Sequence, residues 1–351
     1  MSTLILPAAG KSSRFPGMRP KWLLTMPDGQ LMIEKSVSLL DMSRFEEVVL
    51  ICLREHVERY LSEDSLRTIC NGFGHPRVRA VILDEPTKSQ SETVAVGIHQ
   101  GGVTGPIFIK DCDNEFAYSF AGGNEIAVLD LNRVGLIDAK NKSYVAADGL
   151  GQVLNIVEKQ VISNKFCCGG YGFRDAAEFC AHYEQVPDGT EKYISHVIYH
   201  MLMAGERFTT SDADSYTDWG TLREYRHYQR AFITLFCDLD GVLFLNGSKF
   251  GAQGWNTAPI EENLRTIAQL KREGRLYLVI TSSRPRSEES YVSEQLGRFG
   301  INVDQFVMGL PHSRRLLVND YSATNPYPSA ISINLERDTE KLSAILESLC
   351  N

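Results

Sequence analysis

The chain has 351 residues, 43% hydrophobic and 23% charged, which is too long for one ordinary core and predicts two or three domains of globular composition. A formal net charge of −8 argues against nucleic-acid binding, since a phosphate backbone needs a basic face, but it leaves room for a local basic pocket that takes a nucleotide. The eight cysteines include no C-x-x-C pair and no zinc spacing, and no apolar run is long enough to span a membrane, so the expectation is a cytoplasmic protein with reduced thiols.

Short apolar runs at 3–8, 47–53, 78–83 and 106–110 read as buried strands. Residues 31–41, 55–71 and 91–100 between them carry apolar residues at helical spacing. This alternation predicts a parallel sheet covered on both faces. Residues 124–183 are richer in strand and turn signals, which predicts a mixed-sheet section. A helix follows over about 190–204, where Tyr193, Ile194, Val197, Ile198 and Met201 form one stripe. The polar stretch 222–230 lacks Pro and Gly and predicts a helical linker, with a domain boundary near 230. A second α/β pattern then reads strand 232–237, helix 260–273, strand 276–281, helix 287–298, strands 315–318 and 330–334, and helix 338–349.

The first strand ends in Ala8-Ala9-Gly10 and turns into Lys11-Ser12-Ser13-Arg14, with Pro20-Lys21 close behind. Such a loop can cradle phosphate: Gly10 admits close backbone approach, its N–H groups face oxyanions, and Arg14 offers a charged fork. The plain alternative is a strand-to-helix turn. Further along stand Lys110-Asp111-Cys112-Asp113-Asn114, Glu158-Lys159, Cys168-Gly169-Gly170-Tyr171-Gly172-Phe173 and Tyr216-Thr217-Asp218-Trp219-Gly220-Thr221. In this order these segments resemble the nucleotidyltransferases that join a nucleoside triphosphate to a sugar phosphate or similar phosphate ester, with a GT-A-type Rossmann-like fold.

The resemblance implies a mixed, mainly parallel sheet over 1–230. It implies Ala9, Gly10, Ser12 and Ser13 as the nucleotide-binding loop and Arg14 and Lys21 on the triphosphate. Lys159 would hold the acceptor phosphate, and Asp113 and Asp218 would hold Mg²⁺, with Asp111 competing or sharing. Gln90 and Thr93, in a Ser/Thr-rich helix start, are expected to contact the base, the plain alternative being a capped helix. The gap from Arg14 to Pro20 is shorter than in the familiar sugar-phosphate enzymes, and Cys112 replaces their usual Gly. The Ala-Ala-Gly-x-Ser-x-Arg form also occurs in cytidylyltransferases and molybdopterin nucleotide transferases, so the base stays open.

The second pattern opens on Asp238-Leu239-Asp240-Gly241-Val242-Leu243 after an apolar strand. Two carboxylates at i and i+2 can divide nucleophilic and acid/base work. With Thr281 ending the next predicted strand and Asp320 ending a later one, the segment resembles the haloacid-dehalogenase (HAD) superfamily. That implies a Rossmann-like domain over 231–351. The short interval before the next predicted helix leaves no room for a large cap, only for a flap over 247–256 tipped by Trp255. Residues 325–328 read first as a turn between strand ends, with a rigid access loop as the alternative. The resemblance implies Asp238 as nucleophile, Asp240 as acid/base, Thr281 on the phosphoryl group and Arg314, or its neighbour Arg315, as the cation. Mg²⁺ would lie on Asp238, Asp240 and Asp320.

Together the two resemblances imply a bifunctional enzyme that transfers a nucleotidyl group to a phosphorylated acceptor, releasing pyrophosphate. A phosphatase would act on a related intermediate, in surface-glycan precursor synthesis. Partners are a nucleoside triphosphate and a phosphorylated small molecule, with no nucleic acid, no membrane and scope for a homo-oligomer. The competing readings are a single transferase activity with a scaffold domain, and a non-catalytic nucleotide sensor.

Overall fold

A computed structural model describes residues 2–134, 139–187, 191–252, 254–320 and 330–350. The chain divides into two units, Met1–Tyr225 and Arg226–Asn351. In the first, β1 (Thr3–Pro7), β2 (Glu47–Leu53), β3 (Val78–Leu83) and β4 (Ile107–Lys110) run parallel in the order β3-β2-β1-β4. β1, β2 and β4 are almost wholly buried apolar runs, because both faces of the sheet are covered. Successive residues of β1 enter opposite cores: Ile5 one, Leu4 and Leu6 the other.

The connecting helices are α1 (Met32–Val37), α2 (Arg54–Tyr60), α3 (Glu63–Gly72) and α4 (Gln90–Gly101). The single helix expected over 55–71 is therefore two. Ser62 starts α3 afresh, its Oγ accepting from the Ser65 N–H at 3.1 Å. α4 begins on the Ser89 cap and ends where Gly102 turns into the left-handed region at φ 59°.

The expected mixed section comprises β5 (Asn114–Ala117), β6 (Glu125–Asp130), β7 (Ser143–Ala147), β8 (Val153–Glu158) and β9 (Lys165–Phe173). After α5 (Ala176–Gln185) and α6 (Ile194–Met203) come β10 (Thr209–Asp212), β11 (Asp214–Asp218) and α7 (Leu222–Arg230). The main sheet has the order β10-β6-β9-β4-β1-β2-β3, with β7 joined to β8 and β9. Only β8 and β9 run against the other described strands of this sheet. Gly170 of β9 has no space for a side chain, since a Cβ there would stand 2.7 Å from both Phe108 and Phe116.

Chain direction sets the site. Strands proceed outward from β1 through β2 to β3, then return to the other side of β1 as β4. The crevice beyond the carboxyl ends of β1 and β4 is thus a topological switch point, where open α/β sheets bind ligands.

The second unit holds β12 (Ile233–Asp238), α8 (Glu261–Arg272), β13 (Leu276–Thr281), α9 (Glu289–Gly297), β14 (Gln305–Val307) and α10 (Leu342–Cys350). Its sheet is parallel, in the order β12-β13-β14. The strands expected at 315–318 and 330–334 are absent from this sheet, and Leu316 and Val318 are 88% and 81% exposed. The third strand is instead β14. Arg315 explains the first absence: it is tied to Asp238 and Thr281 at the carboxyl ends of β12 and β13. A parallel strand beside β12 would start at the opposite end, several residues of about 3.3 Å each away. Residues 325–328, read as a turn between strand ends or an access loop, lie outside the described residues. No helix among the described residues is long and apolar enough to cross a membrane.

Candidate active site

The loop after β1 is drawn tight around Ser12. Its carbonyl accepts from Phe15 N–H (2.8 Å), its Oγ accepts from Lys21 N–H (2.9 Å), and its φ is 49°. A non-glycine residue in the left-handed region stores strain that surrounding contacts must hold, a common condition of ligand-gripping loops. Ala9 is buried in the core, so its side chain is structural and only its backbone can serve a ligand. Gly10 and Ser13 are exposed, and a Cβ on Gly10 would meet open space. Lys21 N–H therefore closes the loop while its ammonium does separate work.

That ammonium lies 2.5 Å from Asp113 Oδ2. Asp113 follows β4, so the pair bridges the two strand ends of the switch point. Pairing of β11 with β5 places Asp218 opposite Asn114, and Trp219 N–H donates to the Asp113 carbonyl at 2.8 Å. Asp113 and Asp218, far apart in sequence, thereby face one small volume. Gly220 marks it: a Cβ there would stand 3.1 Å from Asp218 Oδ1, 3.3 Å from Asp113 Oδ2 and 3.8 Å from Arg14 Nη1. Arg14 Nη1 also reaches the Gly220 carbonyl at 3.5 Å.

Asp111 stands beside this centre. Its Oδ1 accepts from Gln90 Nε2 at 2.6 Å, at the start of α4. Gly169, at φ 87°, leaves it room, since a Cβ there would come within 2.4 Å of Asp111 Oδ2. Burial, then the neighbouring Asp113 charge, pushes the Asp111 carboxyl up to about 6. Asp113 goes the other way: burial opposes its charge, but Lys21 outweighs burial and holds it well below the usual carboxylate range. Beneath both lies Lys110, fully buried, with Nζ donating to Asp111 O (2.6 Å), Asn114 O (2.8 Å) and Asn114 Oδ1 (2.6 Å). Burial lowers its pKa to about 8.

Two expected positions lie differently from the rest. Thr93 is 2% exposed, and its hydroxyl is engaged by the Ser89 carbonyl (3.1 Å) and Thr87 Oγ1 (2.5 Å), so it serves its own helix turn. Lys159 sits at the end of β8 at φ 57°, its Nζ 2.5 Å from Tyr193 Oη and above that ring. Its neighbour Glu158 accepts from Ser195 Oγ at 2.7 Å and from Ser143.

Lys142 is the residue that no motif signalled. Lys159 N–H donates to its carbonyl at 2.9 Å, and its Nζ donates to Asp218 Oδ2 and, at 2.6 Å, to Tyr216 Oη. Burial opposes its charge, but Asp218 and then Asp113 raise its pKa.

In the second unit, Asp238 and Thr281 are register partners at the ends of β12 and β13. Of the pair Arg314 and Arg315, Arg315 reaches them, at 3.1 Å from Asp238 Oδ1 and 3.3 Å from Thr281 Oγ1. Asp240 is clamped by Arg284, with Nη2 2.6 Å from Oδ1 and Nε 3.0 Å from Oδ2. Arg284 is 2% exposed and lies under the rings of Trp255 and Phe244. The residue expected to tip a flap is thus packed on the cation that fixes Asp240. Asp320 is exposed. Among the described residues no three His, Cys, Asp or Glu side chains are grouped as they would be around a metal ion, and this holds for Asp111, Asp113 and Asp218 as for Asp238, Asp240 and Asp320. The first-unit carboxylates are instead neutralised singly, Asp113 by Lys21 and Asp218 by Lys142.

Residues 4–116 match the family described as MobA-like NTP transferase domain. The chain also resembles solved structures. A nucleoside-diphosphate-sugar pyrophosphorylase from Vibrio cholerae RC9 is 22% identical at a TM-score of 0.55, covering 65% of this chain and 99% of its own. A UDP-glucose pyrophosphorylase complexed with UDP-glucose is 18% identical at 0.53, covering 66% and 98%. An inositol-1-phosphate CTP transferase from T. maritima is 16% identical at 0.50, covering 64% and 90%. At these identities the likeness is one of fold. A search of curated proteins finds no match.

Proposed function

We propose that the first unit transfers a nucleotidyl group from a nucleoside triphosphate to a phosphorylated sugar or related phosphate ester, releasing pyrophosphate. The observation that carries this reading is the convergence of Arg14, Asp113 and Asp218 on the space beside Gly220, at the switch point of the sheet. An all-oxygen donor pair beside a space that a methyl group would fill suits Mg²⁺, which takes one or two carboxylates and leaves its remaining positions to water and phosphate. Asp113 and Asp218 would hold it, with Asp111 sharing; when bound, it supplies charge neutralisation at the phosphates.

The loop 8–14 grips the triphosphate through backbone N–H groups, and Arg14 and Lys21 offset the charge that grows on the leaving pyrophosphate. Lys159 orients the acceptor, whose phosphate oxygen attacks the α-phosphorus in line as the bond to pyrophosphate breaks. Positioning and charge provide the catalysis, with no covalent enzyme intermediate. The match over 4–116 and the fold likeness support the transfer class, and the acceptor class rests on the expected Glu158-Lys159 segment. The test is a screen of the four common ribonucleoside triphosphates against phosphorylated sugars and polyols. Mg²⁺-dependent pyrophosphate release with one pair is the expected result, and none with any pair would count against the reading.

The second unit is proposed to hydrolyse a phosphate ester through Asp238, with Thr281 and Arg315 on the phosphoryl group. Support comes from the joining of these three side chains at one strand end. Asp238 attacks phosphorus as the bond to the ester oxygen breaks, and that oxygen takes a proton from water and leaves as the alcohol. A water then attacks the aspartyl-phosphate, breaking its phosphorus–oxygen bond to release phosphate and restore Asp238. Phosphate release from the same acceptors, lost in Asp238→Asn, is the expected outcome, and release unaffected by that change would refute it.

A further inference from the structure

We propose that Lys142 is a built-in counter-cation for Asp218, which it yields to a divalent metal ion when the site loads, and that the freed ammonium then faces the phosphates. The inference rests on the nucleotidyl-transfer reading above and adds to it a residue that no motif assigns.

Asp218 is nearly enclosed, its side chain 6% exposed, and a carboxylate in such a place needs a partner. Lys142 is that partner, itself only 13% exposed. Its ammonium is held from a second side by Tyr216 Oη at 2.6 Å. The arrangement is repeated a few ångströms away, where Lys21 occupies Asp113 Oδ2 at 2.5 Å. Both engaged carboxylates border the volume beside Gly220, where Asp218 Oδ1 and Asp113 Oδ2 lie 3.1 and 3.3 Å from the Cβ position. The two carboxylates that suit a metal ion are thus the two held by ammonium groups.

Charge balance gives the pairing a purpose. Two ammonium groups carry the charge of one divalent cation, so the carboxylates stay compensated before loading. When the cation enters together with a triphosphate, it replaces the ammonium groups at the carboxylates. The two released charges then match the net negative charge that the metal–triphosphate complex brings in. Lys142 is well placed for this second role, because Lys159 N–H donates to its carbonyl at 2.9 Å and so binds it to the strand end that presents Lys159. A purely structural lysine would keep its carboxylate throughout. This one must let go.

The experiment uses the full chain and Mn²⁺ alone as the probe, titrated by electron paramagnetic resonance without nucleotide. Removing the competing ammonium in Lys142→Met should tighten Mn²⁺ binding at least about tenfold, while Lys142→Arg should restore affinity to near the wild-type value. Pyrophosphate release by Lys142→Met should meanwhile fall, showing that tighter metal binding does not aid turnover. Mn²⁺ affinity unchanged or weakened in Lys142→Met would overturn the proposal. Should that variant not fold, wild-type protein suffices: acetic anhydride labelling of Lys142, read by peptide mass spectrometry, should rise when Mn²⁺ is added, and labelling that does not rise refutes the exchange. The two ideas fail separately. Tightened Mn²⁺ binding in a protein that releases no pyrophosphate sustains the exchange and sinks the transfer reading. Pyrophosphate release by wild type with no gain in Mn²⁺ affinity does the reverse.

Discussion

Lys21 Nζ stands 2.5 Å from Asp113 Oδ2 and thereby joins the loop after β1 to the loop after β4 across the switch point of the sheet. The backbone N–H of the same lysine closes the Ser12 loop, so a single residue both shapes that loop and carries the cation paired with Asp113.

Replacing Lys21 by Met is expected to lower pyrophosphate release about 10²- to 10³-fold, the range for losing one preorganised charge donor. Stability should fall as well, by about 2 kcal/mol, because Asp113 is left buried without its cation. The sign follows from the direction of the shift. A carboxyl held low in the folded state contributes stability above its unfolded value, and that contribution disappears as pH falls. Urea unfolding should therefore separate mutant from wild type at pH 7 and bring them together in acid.

Asp111→Asn should have the opposite pH signature. Its folded value of about 6 lies above the model-peptide value of 3.8, so ionising it costs the metal-free protein stability as pH rises between the two. In EDTA, the asparagine variant is expected to be more stable than wild type at pH 7.5, by about 3 kcal/mol. At pH 4 the gain should be small. Thermal unfolding at both values checks it, and an equal shift at each would show that Asp111 is not perturbed in this way.

Gly220→Ala separates site from fold. The added methyl would occupy the space between the two carboxylates. Gly220 is not among the positive-φ residues, so its backbone tolerates alanine. Activity should drop at least about tenfold, with a stability cost of about 1 kcal/mol, because Gly220 is buried and the methyl crowds two carboxylate oxygens. Gly169→Ala, at φ 87° and against Asp111, should lose both.

In the second unit, Arg284→Met would strand the Asp240 carboxylate and remove the cation lying under Trp255 and Phe244. A cost of about 3–5 kcal/mol is expected, as for half of a buried ion pair. Asp238→Asn, at an exposed strand end, should leave unfolding nearly unchanged while abolishing phosphate release. Denaturation and phosphate assays on the pair tell a structural acid from a reactive one.

Strand periodicity made β1, β2 and β4 legible, because a strand buried on both faces is a plain apolar run. Arg14, Lys21, Asp111, Asp113 and Asp218, which the resemblance grouped in sequence order, lie near one another at the strand ends of the switch point. Lys142 was not legible, because its place depends on the β7–β8 pairing and on β11 lying across β5, and no neighbouring residue announces either. The same limit misled the reading of 315–318, where an apolar Leu316-Leu317-Val318 run resembles a strand while the anchoring of Arg315 places it elsewhere. The grip of Arg284 on Asp240 is likewise a contact across the sheet, which no local pattern announces.

The most direct test follows the label rather than the rate. The protein is incubated with Mg²⁺, the productive acceptor and a triphosphate labelled with ³²P at either the α or the γ position. Nucleotidyl transfer puts α label in the acceptor ester and γ label in pyrophosphate, and Asp113→Asn stops both. Transfer of γ label to the acceptor, or loss of label to water alone, would contradict nucleotidyl transfer at this site.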